Sequence, residues 1–274
     1  MKHPSAEEML EARRQRILRR QANPRPGDPV RPMIPLNRPI KWAYGITTVL
    51  SRIDTTLPKT IESLYNAGFD HPTLFVDGCD DPRPYDKFRL PVSFHSNPPM
   101  MVARHWILSA WELYLRDPST NRYAIFQDDV LACRHLRDYL DQSEMDDDGV
   151  YWNLYTFPEN LKLTRGVIGW HKSNQRGLGA LGLVFNRVGF QKLLGCSHFI
   201  HKPASTRPIE ATRKIDGGIH QGMKQEGYIE VIHNPSLIQH QEGKSTLGNR
   251  YKGVDSFPGE DYDSTNLLPK ESES

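Results

Sequence analysis

Buried strands and amphipathic helices alternate along the first half of the main part of the chain. Short apolar, β-branched runs predict strands, and apolar residues three or four positions apart predict helices. The predicted strands span residues 43–50, 72–76, 92–95 and 123–126, and the predicted helices span 57–67, 100–115 and 136–142. This order indicates an α/β fold, with a mostly parallel, twisted sheet covered by helices on both faces.

The second half of the chain has a different pattern, because residues 164–182 are rich in Gly, Arg and Trp. We predict extended structure over 151–157, strands at 180–185 and 229–232, and helices at 188–194 and 215–227. No GxGxxG or GxxxxGK loop follows any predicted strand. The pattern therefore argues against a nicotinamide-dependent enzyme and against a P-loop nucleotidase.

Charge divides the 274 residues into three parts, although the net charge is only +2. Residues 1–38 hold nine Lys and Arg against four Asp and Glu, whereas residues 254–274 hold one Lys against six acids. We predict a basic N-terminal helix and Pro-rich linker over 1–40, the main domain over 41–253 and an acidic C-terminal tail over 254–274. In the tail, Phe257, Leu267 and Leu268 are candidate docking points.

Composition bears on the compartment as well. No apolar run approaches the roughly 20 residues of a membrane span, and the N-terminus has no apolar core of the kind that a secretory signal needs. The three cysteines are an odd number and lack the spacing of a metal site. These observations predict a cytoplasmic protein without a disulfide framework.

The strongest chemical signal is the acidic pair Asp128-Asp129, which directly follows a predicted buried strand. Because burying an unpaired charge is costly, a strand that runs into two carboxylates favours a cation or hydrogen-bond donors at its end. Ligands of α/β folds bind at this end of the strands. Mg²⁺ is usually held by one or two carboxylates together with substrate phosphates, and Mn²⁺ is similar. An ordinary acidic turn is the alternative interpretation.

Four segments, in this order, resemble the nucleotide-sugar glycosyltransferases of the GT-A fold, of the family 2-like and N-acetylglucosaminyltransferase-like kinds. The resemblance covers residues 42–250. The segments are Thr47-Thr48-Val49-Leu50-Ser51-Arg52 with the helix after it, Phe75-Val76-Asp77-Gly78, Ala103-Arg104-His105 followed by Phe126-Gln127-Asp128-Asp129, and Pro235-Ser236-Leu237-Ile238-Gln239-His240 with Gly243-Lys244-Ser245-Thr246. The resemblance implies a Rossmann-like nucleotide-binding half and an acceptor half.

The resemblance also implies roles for individual residues. Asp129 and His240 would be the ligands of Mn²⁺ or Mg²⁺, although a hydrogen-bonded structural histidine is the alternative for His240. Gln127 stands where an acid is commoner, and it would bond a ribose or base. The implied contacts of the donor nucleotide and sugar are Arg52, Asp77, Arg104, Gln127, Asp128, Gly179 and Lys244.

Inversion at the sugar requires a base that removes the proton of the attacking hydroxyl, and a carboxylate within hydrogen-bond reach is the usual device. Asp216 begins a predicted helix beside Gly217-Gly218 and is the first candidate, with Glu210 in reserve. A plain helix cap is the alternative for Asp216. Trp170 would either stack on an acceptor or pack in the core.

The sequence thus predicts a metal-dependent glycosyltransferase, a hexosyl- or N-acetylhexosaminyltransferase. It would move a sugar from a nucleotide-sugar donor, UDP-linked by resemblance, to an acceptor hydroxyl with inversion. The acceptor stays open among glycan, lipid, protein and modified nucleic acid, and no membrane span is expected. One alternative is a nucleotidyltransferase. The other is a nucleic-acid-binding protein that uses the basic N-terminal arm, and a DNA-base glycosyltransferase would be one protein of this kind.

Overall fold

An eight-stranded sheet lies at the centre of the fold. The computed structural model describes residues 26–27, 39–143, 149–197, 215–241, 243–244, 250–251 and 254–268. The strands are β1 Trp42–Val49, β2 Thr73–Asp77, β3 Val92–His95, β4 Arg122–Gln127, β5 Val130–Ala132, β6 Val150–Asn153, β7 Gly169–Lys172, β8 Gly182–Asn186, β9 Ile229–Asn234, β10 Ile238–His240, β11 Gly243–Lys244 and β12 Arg250–Tyr251. The strand order in the sheet is β3-β2-β1-β4-β8-β6-β9-β7. The helices are α1 Leu57–Asn66, α2 Met101–Arg116, α3 Leu136–Asp141, α4 Pro158–Leu163, α5 Arg187–Gly195 and α6 Asp216–Gln225.

The N-terminal half of the sheet is parallel. Strand β1 pairs in parallel with β2 and β4, and β2 pairs in parallel with β3. Strands β2 and β4 are almost entirely buried, in agreement with their continuous apolar runs. The carboxyl ends of these four strands therefore meet at one edge of the sheet.

The other half of the sheet is mixed. Strand β8 lies antiparallel between β4 and β6, and β7 lies antiparallel to β9, whereas β6 and β9 are parallel. Four of the seven pairings in the sheet are parallel. The predicted fold class, an α/β fold with a mostly parallel sheet, is confirmed.

Apolar side chains on the two faces of the sheet form two separate cores. Helices α1 and α3 cover one face, where Leu64 and Leu140 pack with Phe126 of β4. Helices α2, α5 and α6 cover the opposite face, where Trp106 packs in a cluster with Ile125 of the same strand. Alternate residues of β4 thus supply both cores, because successive side chains of a strand point to opposite faces. The predicted helices on both faces are present.

Segments at the two ends of the chain contact this domain. In the predicted acidic tail, Phe257, Leu267 and Leu268 pack against the core on the α1 and α3 face, and the Ser264 hydroxyl donates to the Arg134 carbonyl over 2.8 Å. Of the basic N-terminal segment, residues 26–27 are described, and the Gly27 N–H donates to the Lys172 carbonyl of β7 over 2.8 Å. The predicted N-terminal helix lies outside the described residues.

Trp170 belongs to the core. The residue is 5% exposed, and its ring stacks on Trp152, with ring centroids 4.8 Å apart. Of its two possible roles, core packing is correct and acceptor stacking is wrong, because the ring is enclosed by aromatic neighbours. In the part of the chain that the structure describes, no helix could span a bilayer; α2, for example, has 16 residues, whereas a span needs roughly 20 apolar residues.

Candidate active site

A short two-stranded ladder joins the acidic pair to the C-terminal part of the domain. Strand β5 begins directly after Asp129 and pairs antiparallel with β10, so that Val130 lies opposite His240. The Gln241 N–H donates to the Asp129 carbonyl over 2.8 Å and extends the ladder by one bond. This ladder places His240 beside Asp129 at the carboxyl edge of β4.

Asp129 lies between a cationic side chain and an imidazole. Its Oδ1 atom is 3.4 Å from Nδ1 of His240, and its Oδ2 atom is 3.9 Å from a guanidinium nitrogen of Arg52. Only 11% of the Asp129 side chain is exposed. Its buried Oδ1 atom accepts no hydrogen bond from the described residues. The carboxylate therefore keeps coordinating capacity on the side that faces His240.

Asp128 is buried beside Asp129, and it accepts a hydrogen bond from the Thr48 hydroxyl over 2.7 Å. Burial, followed by the negative charge of Asp129, raises the pKa of Asp128 to about 6. The Thr48 hydroxyl and the positive charge of Arg52 oppose that rise. Two adjacent buried carboxylates thus concentrate negative charge at one point, which a cation would relieve.

The donor atoms around Asp129 fit a divalent ion. Carboxylate oxygen and imidazole nitrogen are both ligands of Mn²⁺. Two ligands of one octahedral ion at about 2.1 Å each lie roughly 3 Å apart, close to the observed 3.4 Å. The described residues contain no group of three or more His, Cys, Asp or Glu that could hold a metal. Asp129 and His240 would supply two ligands and leave the other positions of such an ion to further groups.

Asp77 and Arg104, two other predicted donor contacts, lie at the end of β2 and on α2. Both carboxylate oxygens of Asp77 accept backbone N–H groups, from Met100 at 2.8 Å and Met101 at 2.9 Å, and so anchor the start of α2. Arg104 is exposed on α2, and within the described part of the chain it forms no ion pair with Asp129, whose partners are Arg52 and His240. The side chain of Lys244 and the whole of Glu210 lie outside the described residues.

Asp216 and Gly179, which the sequence analysis named as the base candidate and a donor contact, lie next to each other in the structure. The Gly179 N–H donates to Oδ2 of Asp216 over 3.1 Å. Asp216 is the first residue of α6, with Ile215 at the cap position. Its carboxylate thus holds the segment Gly177-Leu178-Gly179-Ala180, called the glycine loop below. Both glycines have positive φ, +64° and +75°, a conformation that favours glycine.

A buried polar network lies behind the glycine loop. Glu230 of β9 accepts hydrogen bonds from the Ser173 hydroxyl at 2.5 Å and from the Asn153 amide at 3.1 Å. The same Asn153 amide donates to the Leu178 carbonyl over 2.9 Å. Burial raises the pKa of Glu230 above its ordinary value. The network fixes the loop from the side of the sheet.

Tyr155 contacts both parts of the candidate site, and the sequence analysis missed it. Its ring lies edge-on to the His240 ring, with centroids 5.5 Å apart. A Cβ atom on Gly179 would lie 2.6 Å from Cδ1 of Tyr155, so ring and loop are in close contact. Thr48 was also missed, although its place near the carboxyl end of β1 was a usable signal. No comparable signal marks Tyr155.

No protein-family model matches the chain, and no curated protein matches it in sequence. Many solved structures are similar to it, and two of them serve as examples. One is GalNAc-T7 with UDP, GalNAc and Mn²⁺, with 10% identity over 70% of this chain and 42% of that chain, at a TM-score of 0.47. The other is the mannosyltransferase PcManGT from Pyrobaculum calidifontis with GDP-Man and Mn²⁺, with 13% identity over 80% of this chain and 60% of that chain, at a TM-score of 0.48.

The chain spans less than two thirds of the length of either protein. These two likenesses concern the fold.

Proposed function

We propose that this chain is a metal-dependent glycosyltransferase. It would move a sugar from a nucleotide-sugar donor, UDP-linked by the sequence resemblance, to an acceptor hydroxyl with inversion. The observation that carries the proposal is the pairing of Asp129 with His240, 3.4 Å apart at the carboxyl edge of the sheet. Two protein ligands there suit a Mn²⁺ or Mg²⁺ ion that also binds a diphosphate.

The ion would neutralise the donor diphosphate on binding and again as the nucleoside diphosphate leaves. Asp129 and His240 would hold it, and the Arg52 guanidinium would lie next to the same phosphates, since it is 3.9 Å from Asp129. Asp128 would accept hydrogen bonds from donor hydroxyls. Asp77, Arg104 and Lys244 remain predicted contacts of the nucleotide, as the sequence resemblance implies.

Asp216 would remove the proton of the acceptor hydroxyl. It is partly exposed, and the Gly179 N–H fixes one of its oxygens, so its orientation is set before any substrate arrives. A carboxylate held in this way can act as a general base if the acceptor hydroxyl comes within about 3 Å. The nature of that acceptor, among glycan, lipid, protein and modified nucleic acid, is left to experiment.

Thermal unfolding of the purified protein tests the proposal against a panel of nucleotide sugars, each with Mn²⁺, with Mg²⁺ or with a chelator. A ligand that binds only the native state raises the melting temperature, and at a given concentration a tighter ligand raises it further. We expect one donor class to stabilise the protein when metal is present and to lose this effect in Asp129→Asn. The matched control is Asp138→Asn, which changes an exposed carboxylate on α3.

Two results would refute the proposal. One is stabilisation that persists in excess chelator, and the other is a folded protein that responds to no donor in the panel. A donor that binds wild type and Asp129→Asn equally would move the metal site elsewhere. Product analysis with the identified donor would then establish whether the anomeric configuration inverts.

A further inference from the structure

Gln127 occupies the position where the resembling glycosyltransferases more often have an acid, and the structure gives its side chain a partner within the protein. The Nε2 group of Gln127 donates to the Ala180 carbonyl over 3.0 Å. The Gln127 backbone N–H also donates to the Leu181 carbonyl over 2.9 Å. The last residue of β4 is therefore joined twice to the chain at the end of the glycine loop.

Three separate elements hold consecutive backbone groups of this loop. The Asn153 amide from the end of β6 holds the Leu178 carbonyl at 2.9 Å, Asp216 of α6 holds the Gly179 N–H at 3.1 Å, and Gln127 of β4 holds the Ala180 carbonyl at 3.0 Å. Loop residues with few fixed contacts ordinarily open at little cost. Here the contacts convert a glycine-containing segment into a rigid connection between Gln127 and Asp216.

The chemistry of the amide explains why an acid would not serve. The partner of Gln127 is a carbonyl oxygen, which only accepts hydrogen bonds, and an ionised carboxylate has no hydrogen to donate. A Glu at this position would face the Ala180 oxygen with a negative charge. It would also add a third carboxylate next to the buried pair Asp128 and Asp129.

We propose that Gln127 is a positioning residue that holds the glycine loop, and through Gly179 the carboxylate of Asp216, in register with the acidic pair. The inference rests on the proposed function for the role of Asp216, whereas the tether itself does not depend on that function. This positioning role differs from the ribose or base contact that the sequence resemblance implied for Gln127.

Hydrogen–deuterium exchange tests the tether without any activity measurement. We would compare peptides that cover residues 177–181 in wild type, Gln127→Met and Gln127→Glu. Met keeps the length of the side chain and removes the donor, whereas Glu keeps the shape and reverses the hydrogen-bond role. Loss of one such bond should speed exchange of this segment about five- to tenfold. The control Gln191→Met removes an exposed amide bond to Tyr114 and should leave the segment unchanged.

Kinetics then test the positioning role once a donor is known. We expect kcat of Gln127→Met to fall about tenfold, in line with a displaced catalytic group, while the dissociation constant of the donor stays within twofold of wild type. A purely structural weakening would lower the melting temperature without this separation between kcat and donor affinity.

Each contrary outcome has a distinct meaning. Unchanged exchange in both Gln127 variants overturns the tether, and faster exchange with an unchanged kcat overturns the positioning role. Unchanged exchange together with weaker donor binding would restore Gln127 as a donor contact. A protein that transfers no sugar from any donor refutes the proposed function, while the exchange result still decides the tether.

Discussion

Substitution of Gly179 by Ala tests the contact between the glycine loop and Tyr155. The added Cβ would lie 2.6 Å from Cδ1 of Tyr155 and 3.1 Å from Cε1. Ordinary contact begins at 3.4 Å, so the ring must recede by roughly 0.8 Å. Tyr155 is only 4% exposed and its ring lies against His240, so the displacement would reach the candidate metal ligand.

The magnitude has two parts. An Ala in the left-handed region, where Gly179 has φ +75°, costs about 1–2 kcal/mol. Overpacking of a well-packed site costs about 1–3 kcal/mol more. We therefore expect Gly179→Ala to lower the free energy of unfolding by roughly 2–5 kcal/mol, which corresponds to a melting temperature roughly 5–15 °C lower for a domain of this size.

The assay is urea or thermal unfolding of Gly179→Ala beside Gly195→Ala. Gly195 ends α5, its added Cβ would meet nothing within 4 Å, and its φ lies outside the positive range. The control should therefore stay within about 1 kcal/mol of wild type. A Gly179→Ala protein as stable as this control, with unchanged Mn²⁺-dependent stabilisation, would refute the close packing of loop, ring and imidazole.

Three further predictions concern other parts of the fold. His240→Ala should weaken Mn²⁺-dependent thermal stabilisation while the protein stays folded, and equal stabilisation in both proteins would exclude His240 as a ligand. Burial lowers the pKa of His233 to about 4, so the unfolded chain binds its proton first as pH falls. Stability should therefore drop by up to about 1.4 kcal/mol per pH unit from 6.5 towards 4, and a His233→Gln protein with the same slope in urea titrations above pH 5 would contradict this. Arg122→Met should lower the free energy of unfolding by about 2–4 kcal/mol, because the buried guanidinium lies 4.9 Å from the Trp152 ring and donates to the Leu140 carbonyl. An unchanged free energy of unfolding in urea titrations would contradict this.

Local patterns sufficed for most elements of the first half. The apolar runs that predicted strands at 43–50 and 72–76 correspond to Trp42–Val49 and Thr73–Asp77. Strand β2 is buried along its whole length, and strands buried on both faces are mostly apolar. The spacing of apolar residues in 57–67 likewise corresponds to Leu57–Asn66. In these segments the residues that face the core can be identified from the sequence pattern.

Other elements have no recognisable hydrophobic pattern in the sequence. Strands β5 and β10 have three residues each, and they form because they pair with each other across a long stretch of chain. Strand β7 has the sequence Gly-Trp-His-Lys, in which no period is visible. The antiparallel direction of β8 was unpredictable for the same reason, because periodicity reports burial and not the neighbouring strand.

The candidate site shows the same division. Asp128 and Asp129 were conspicuous in the sequence because charge directly follows a buried run, and their position at the end of β4 agrees with that reasoning. The Ala180 carbonyl, which accepts a hydrogen bond from Gln127, could not be predicted, because a backbone carbonyl has no signature in the sequence. The amide at Gln127 was visible only as a departure from the expected acid.

The ladder of β5 and β10 has a consequence for the order of events in folding. It joins segments far apart in the chain, and contacts of high sequence separation carry a large loop-closure entropy. The parallel strands β1, β2 and β4 can assemble earlier, before the segment around His240 has docked. During synthesis the acidic pair would therefore exist as an incomplete half-site until the last part of the domain leaves the ribosome. A chain that ends before Ile238 would keep the carboxylates and lack their imidazole partner.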